Sequence, residues 1–229
     1  MLRKYDHILS LGYNCEVAFQ FKTRFNFVES ALFNWCYVNG EQGFLSALND
    51  LNLLLAQGLE EFLAINMWEC RATKVRFHGS RSPKELLDDK GNRLEKIIEA
   101  ELNEVISRIQ FLITKQQKLW ESYDSQLYIL LVKENDNEKA RKFIQDVATQ
   151  LSDKNKDADL LAVVRQSQLN ELKQLENSHL SIRGISKLTP HNKVTDLAES
   201  DLKGWNAIFD EFQPKEILVQ NKIYKFEKD

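Results

Sequence analysis

No stretch of this 229-residue sequence approaches the roughly 18 consecutive apolar residues that a membrane-spanning helix requires. The opening MLRKYDHILSLGYNC has basic residues and then an apolar stretch interrupted by Ser10, Gly12 and Asn14, which is too brief and polar for a signal-peptide core. Proline occurs three times and glycine eight, which excludes collagen-like repeats and low-complexity linkers. The formal net charge of −3 lacks the excess of Lys and Arg that coating a nucleic acid demands, so no nucleic-acid partner is expected. The three cysteines, Cys15, Cys36 and Cys70, cannot all pair within one chain and none lies in a CxxC, a usage that fits a reducing cytoplasm. With four scattered His they offer no metal-ligand spacing. G-x-G-x-x-G, Walker and G-x-S-x-G patterns are missing too, so no cofactor is expected.

What remains is an ordinary folded chain, 43% apolar and 28% charged, of single-domain size. Two continuous apolar runs, 126–132 and 160–164, flank an amphipathic stretch at 137–151 and read as strands buried on both faces of a parallel sheet. A shorter run, Ile8 to Leu11, ends in Gly12-Tyr13-Asn14 and passes into a helix-like segment, so Cys15 falls at a helix start beside the end of the first strand. Residues 40–65 read as a helical stretch broken at Gly58. Ser82-Pro83-Lys84-Glu85 reads as a helix start. Ile98, Leu102, Val105, Ile109, Leu112 and Leu119 form the stripe of a long helix over about 93–121, with Gln116 its one polar member. Later come a strand at 180–185, a helix at about 202–212 and a closing hairpin over 216–226. Strand, helix, strand at this spacing predicts a single α/β domain over 1–229: a three-layer sandwich with a mostly parallel central sheet, a long helix and a helical insertion at about 40–122.

A thiol at the first turn of a helix feels unpaired N–H groups and the positive end of the macrodipole, which favour the thiolate. The crevice at the carboxyl ends of strands is where ligands bind in open α/β sheets. The bland alternative is that Cys15 is a small buried hydrophobe. His78 lies in a basic segment that reads as turn-rich, with Arg71, Lys74, Arg76, Arg81 and Lys84 around it. His191, in the late loop Thr189-Pro190-His191-Asn192, is its rival as a base, while His7 and His179 read as structural. The basic cluster suits an anionic ligand or a solvated loop equally.

The run Ile8-Leu9-Ser10-Leu11-Gly12-Tyr13-Asn14-Cys15-Glu16-Val17-Ala18, followed by Glu29-Ser30-Ala31-Leu32-Phe33-Asn34-Trp35 and by Phe77-His78, resembles a bacterial family described as papain-like cysteine peptidases. Members open with a strand, a Ser-Leu-Gly-x-x-Cys turn, a helix, and a Ser-x-Pro-Phe-Asp-Trp segment. The likeness covers about the first 80 residues, with Leu32 where Pro is usual and Asn34 where Asp is usual. It implies Cys15 as nucleophile, His78 as general base and acid, and Asn34 orienting His78, with Gly12, Asn14, Ser30, Trp35 and Arg76 around an acyl, peptide or glycan substrate. The turn Gly12-Tyr13-Asn14-Cys15 also resembles, with Tyr13 inserted, the Gly-Asn-Cys turn of a capsule-polysaccharide acetyltransferase family that uses coenzyme A. Two further expectations therefore stand beside a cysteine hydrolase or acyltransferase: a coenzyme A-dependent acetyltransferase, and a non-catalytic binding or assembly domain, in surface-polysaccharide biosynthesis.

Overall fold

A computed structural model describes residues 2–12, 15–26, 28–38, 40–62, 66–190, 193 and 196–215. In chain order the elements are β1 (Arg3–Tyr5), β2 (His7–Ser10), α1 (Glu16–Phe25), β3 (Cys36–Val38), α2 (Glu41–Asn49), β4 (Leu59–Phe62), β5 (Met67–Cys70), β6 (Val75–His78) and α3 (Glu95–Glu121). They continue with β7 (Gln126–Leu131), α4 (Asn137–Lys154), β8 (Ala158–Arg165), α5 (Leu169–Leu172), β9 (Leu180–Ile185), α6 (Leu202–Glu211) and β10 (Phe212–Pro214).

The two apolar runs are adjacent central strands. β2, β7, β8 and β9 form one parallel sheet in that order, with Leu9 beside Tyr128, Leu130 beside Ala162 and Ala162 beside Ile182. Because alternate side chains leave opposite faces of a strand, Leu127, Ile129 and Leu131 pack with Val17, Phe21, Trp205 and Phe209 from α1 and α6. Tyr128, Leu130 and Val132 face the other way, toward Phe143 and Val147 of α4 and Val105 and Ile109 of α3. The result is a mixed α/β sandwich around a mostly parallel sheet, as the sequence pattern predicts.

The region expected to be a helical insertion is built differently. It holds α2 and α3, but also β4, β5 and β6, which join β3 in a four-stranded antiparallel sheet ordered β3-β6-β5-β4. His78 therefore ends a strand instead of sitting in a loop. Pro83–Leu86 forms only a short 3-10 turn, although Glu85 reaches back to the Ser82 N–H at 2.6 Å as a capping residue would. Gln116 is tolerated in the apolar stripe of α3 because it donates to the Tyr128 hydroxyl at 2.8 Å, and that hydroxyl donates to Gln126 Oε1 at 2.7 Å. The hairpin expected at 216–226 lies outside the described residues.

Candidate active site

The parallel sheet delivers Cys15 and the antiparallel sheet delivers His78. β2 ends at Ser10, Leu11 N–H still bonds to Ile129 O at 2.9 Å, and the chain turns at Gly12 with φ +78°. A Cβ at Gly12 would lie 2.9 Å from Cys36 Sγ, so glycine is required by conformation and by space. Cys15 then caps α1, its carbonyl accepting from Phe19 N–H at 3.0 Å.

From the other sheet, His78 Nε2 comes to 3.4 Å from Cys15 Sγ. The backbone around His78 is clamped to α3. Arg108 donates to the His78 carbonyl, and fully buried Glu101 accepts from Ser80 and Arg81, including Ser80 Oγ at 2.9 Å and Arg81 N–H at 3.1 Å. Burial alone would raise the Glu101 pKa, but these bonds hold it below the ordinary glutamate value. Gly79 is needed beside His78 because Asn66 Oδ1 and Glu101 Oε1 occupy the space a Cβ would take.

Cys15 is only 4% exposed, and that burial pushes its thiol up to about 12. This is opposite in direction to the thiolate expected at a helix start, because lost solvation disfavours the charged form. Cys36 and Cys70 are 0% exposed and donate to the carbonyls of Phe33 and Leu53.

Asn34 does not orient His78. Its Oδ1 accepts from Ser10 N–H at 2.9 Å and its Nδ2 donates to the Glu29 carbonyl, so the amide ties the segment after α1 to β2. Ser30 gives its carbonyl to Lys115 Nζ at 2.6 Å. Half-buried Trp35 meets Phe19 edge to face at 5.1 Å, one helical turn beyond Cys15. Arg76 shares the outward face of β6 with His78 and bonds to Glu69 at 2.7 Å. Lys74 also pairs with Glu69, and Arg81 with Glu101 and Glu104, so three of the five cations of the basic cluster are ion-paired, two of them sharing one carboxylate. Asn14 and His191 lie outside the described residues. His7 and His179 are hydrogen-bonded through Nδ1 to Glu29 and Asp159 respectively, each at 2.9 Å.

Sequence reasoning passed over Glu16, a fully buried carboxylate next to Cys15, and Arg108; only the unusual placing of Glu16 on an apolar helix face signalled it. Among the described residues no group of three or more His, Cys, Asp or Glu is arranged to hold a metal ion, and no helix is long and apolar enough to cross a membrane. No known family model, curated protein or solved structure matches the chain.

Proposed function

We propose that the protein is a cysteine-nucleophile enzyme of the papain-like hydrolase or acyl-transfer type. The observation that carries the reading is the 3.4 Å approach of His78 Nε2 to Cys15 Sγ at the carboxyl end of the parallel sheet. The resemblance of the opening motif to the peptidase family points the same way.

With the thiol held protonated at rest, attack is coupled to proton transfer. Cys15 Sγ adds to the substrate carbonyl as His78 Nε2 takes the thiol proton. The oxyanion then faces the backbone N–H groups at the start of α1, which have no earlier helical turn to bond with. Collapse expels the leaving group, which receives the proton from His78. His78 next deprotonates water, or the hydroxyl of an acceptor, to release the acyl group from sulfur.

The raised thiol pKa and 4% exposure favour a second reading, in which Cys15 is an inert buried residue of a binding or assembly domain. Iodoacetamide labelling of each cysteine, read by peptide mass against pH, separates the two. The enzyme reading expects Cys15 to label first, at a rate that climbs through pH 9 and drops in His78→Ala. A native Cys15 that stays unlabelled while the unfolded chain reacts fully, or a rate indifferent to His78→Ala, overturns it.

A further inference from the structure

At the β4 edge of the antiparallel sheet, two strands from β6 and His78, a groove of about 400 Å³ opens between β4, β5 and the first turns of α3. The register sets Glu61 of β4 directly opposite Trp68 of β5, and both side chains line the groove. Each holds a buried polar atom that has no hydrogen-bond partner: the indole Nε1–H of Trp68, a residue only 3% exposed, and Oε1 of Glu61. Glu61 is engaged through its other oxygen, which accepts from Arg93 Nη2 at 2.7 Å. A donor and an acceptor stranded on neighbouring strands cost stability until a third group joins them. A hydroxyl does so, accepting from the indole and donating to the carboxylate. An ammonium has no lone pair for the indole, and an ionised carboxylate or phosphate has no proton for Glu61.

The rest of the lining narrows the ligand further. Leu59, Ile98 and Leu102 supply apolar surface on which the C–H face of a ring can rest. Around them stand Glu60, Glu61, Glu95 and Glu99 against Arg71 and Arg93, so the rim is net negative. Arg93 is committed to Glu61 and Glu95, whereas Glu60, Glu99 and Arg71 form no ion pair among the described residues. The Arg93 side chain is 47% exposed, and ion pairs that exposed hold weakly, so it is the part of the wall that gives way to admit a group to the buried atoms. We propose that this groove binds a sugar, neutral or positively charged and an amino sugar by preference, with one hydroxyl seated between Trp68 Nε1 and Glu61 Oε1. The site is separate from the Cys15–His78 pair, and neither reading depends on the other.

The test follows the indole N–H resonances of the full chain by NMR, the Trp68 signal being the one of four lost in Trp68→Phe. Millimolar glucosamine should shift that signal saturably, and glucose should do so with weaker affinity. Glucuronate, which brings a negative charge, and methylammonium, which has no hydroxyl, should leave it in place, and the signals of Trp35, Trp120 and Trp205 should not move with any of the four. Glu99→Gln, a change at an exposed rim position, should weaken glucosamine about threefold and leave glucose unaltered. Trp68→Phe keeps the ring and loses the N–H; followed by saturation transfer to the sugar, it should bind glucose and glucosamine about tenfold more weakly. A Trp68 signal unmoved by both sugars means that water alone joins the two atoms and overturns the site. A preference for glucuronate, an equal shift with methylammonium, or sugar binding untouched by Trp68→Phe overturns it as well.

Discussion

Glu16 and Thr189 stand 173 positions apart in the chain and share two hydrogen bonds, Thr189 Oγ1 donating to Oε1 at 2.7 Å and Thr189 N–H to Oε2 at 3.3 Å. Trp205 Nε1 donates to the same carboxylate at 3.2 Å. The residue after the candidate nucleophile thus binds both the loop leading to Pro190 and α6, which fixes the start of α1 from behind.

Burial raises the Glu16 pKa, outweighing the bonds from Thr189 and Trp205 and the charge of Lys133. A carboxyl whose folded pKa is raised costs stability when ionised and regains it as pH falls through the raised value. Glu16→Ala should cost about 2–3 kcal/mol at pH 7 by stranding buried donors, whereas Glu16→Gln should stay within about 1 kcal/mol. In urea unfolding, wild type should gain on Glu16→Gln as pH falls from 7 toward the ordinary glutamate value of 4.5. Parallel profiles for the two proteins would contradict the raised pKa.

Replacing Gly79 by alanine drives a methyl into Asn66 Oδ1 and Glu101 Oε1, and those atoms belong to a buried, α3-anchored cluster that has little room to give. A loss of about 1–3 kcal/mol is expected. Because the strain falls next to His78, the pH-dependent labelling of Cys15 should change even where the fold survives. A variant as stable and as reactive as wild type would count against the clamp.

His7 titrates above its ordinary value, chiefly because Glu29 accepts its hydrogen bond, with burial opposing. The stabilisation is therefore complete below the unfolded pKa of about 6.5 and is lost as pH rises through the folded one. Comparing urea midpoints at pH 6 and pH 9, wild type should lose more stability than His7→Gln. An equal loss in both would show that the Glu29 contact contributes nothing.

The Gln116, Tyr128 and Gln126 side chains form one buried relay. Tyr128→Phe and Gln116→Leu should each cost about 1–3 kcal/mol, since each leaves a partner unsatisfied. The double variant should cost less than the sum, because both ends of the bond between them are then gone. Strict additivity in denaturant unfolding would refute the relay.

The parallel sheet could be read from the sequence because 126–132 and 160–164 are buried on both faces, and a strand buried that way is a continuous apolar run. The antiparallel sheet could not. Its strands are three or four residues long, too short for periodicity to register, and Leu59-Glu60-Glu61-Phe62 is composed largely of good helix formers whose strand state is imposed by pairing with β5. The site shows the same division. Cys15 at a helix start follows from the local run 8–18, whereas the role of Asn34 depends on which backbone groups surround its amide, here Ser10 and Glu29, and no spacing encodes that. The thiol pKa departs from the local expectation for a related reason: a helix start can be read from the chain, but the burial of Cys15 is set by residues distant in it.

Cys15 follows a strand of one sheet and His78 ends a strand of the other, and among the described residues no backbone ladder joins the two sheets. Their 3.4 Å separation therefore acts as a gauge of how the sheets are seated on each other, set by packed side chains and by the hold of Arg108 and Glu101 on the 78–81 segment. A slip of one or two ångströms at that seam would part sulfur from imidazole while both sets of strand hydrogen bonds stayed whole. The chemistry of the pair should accordingly fade on warming before the fold does.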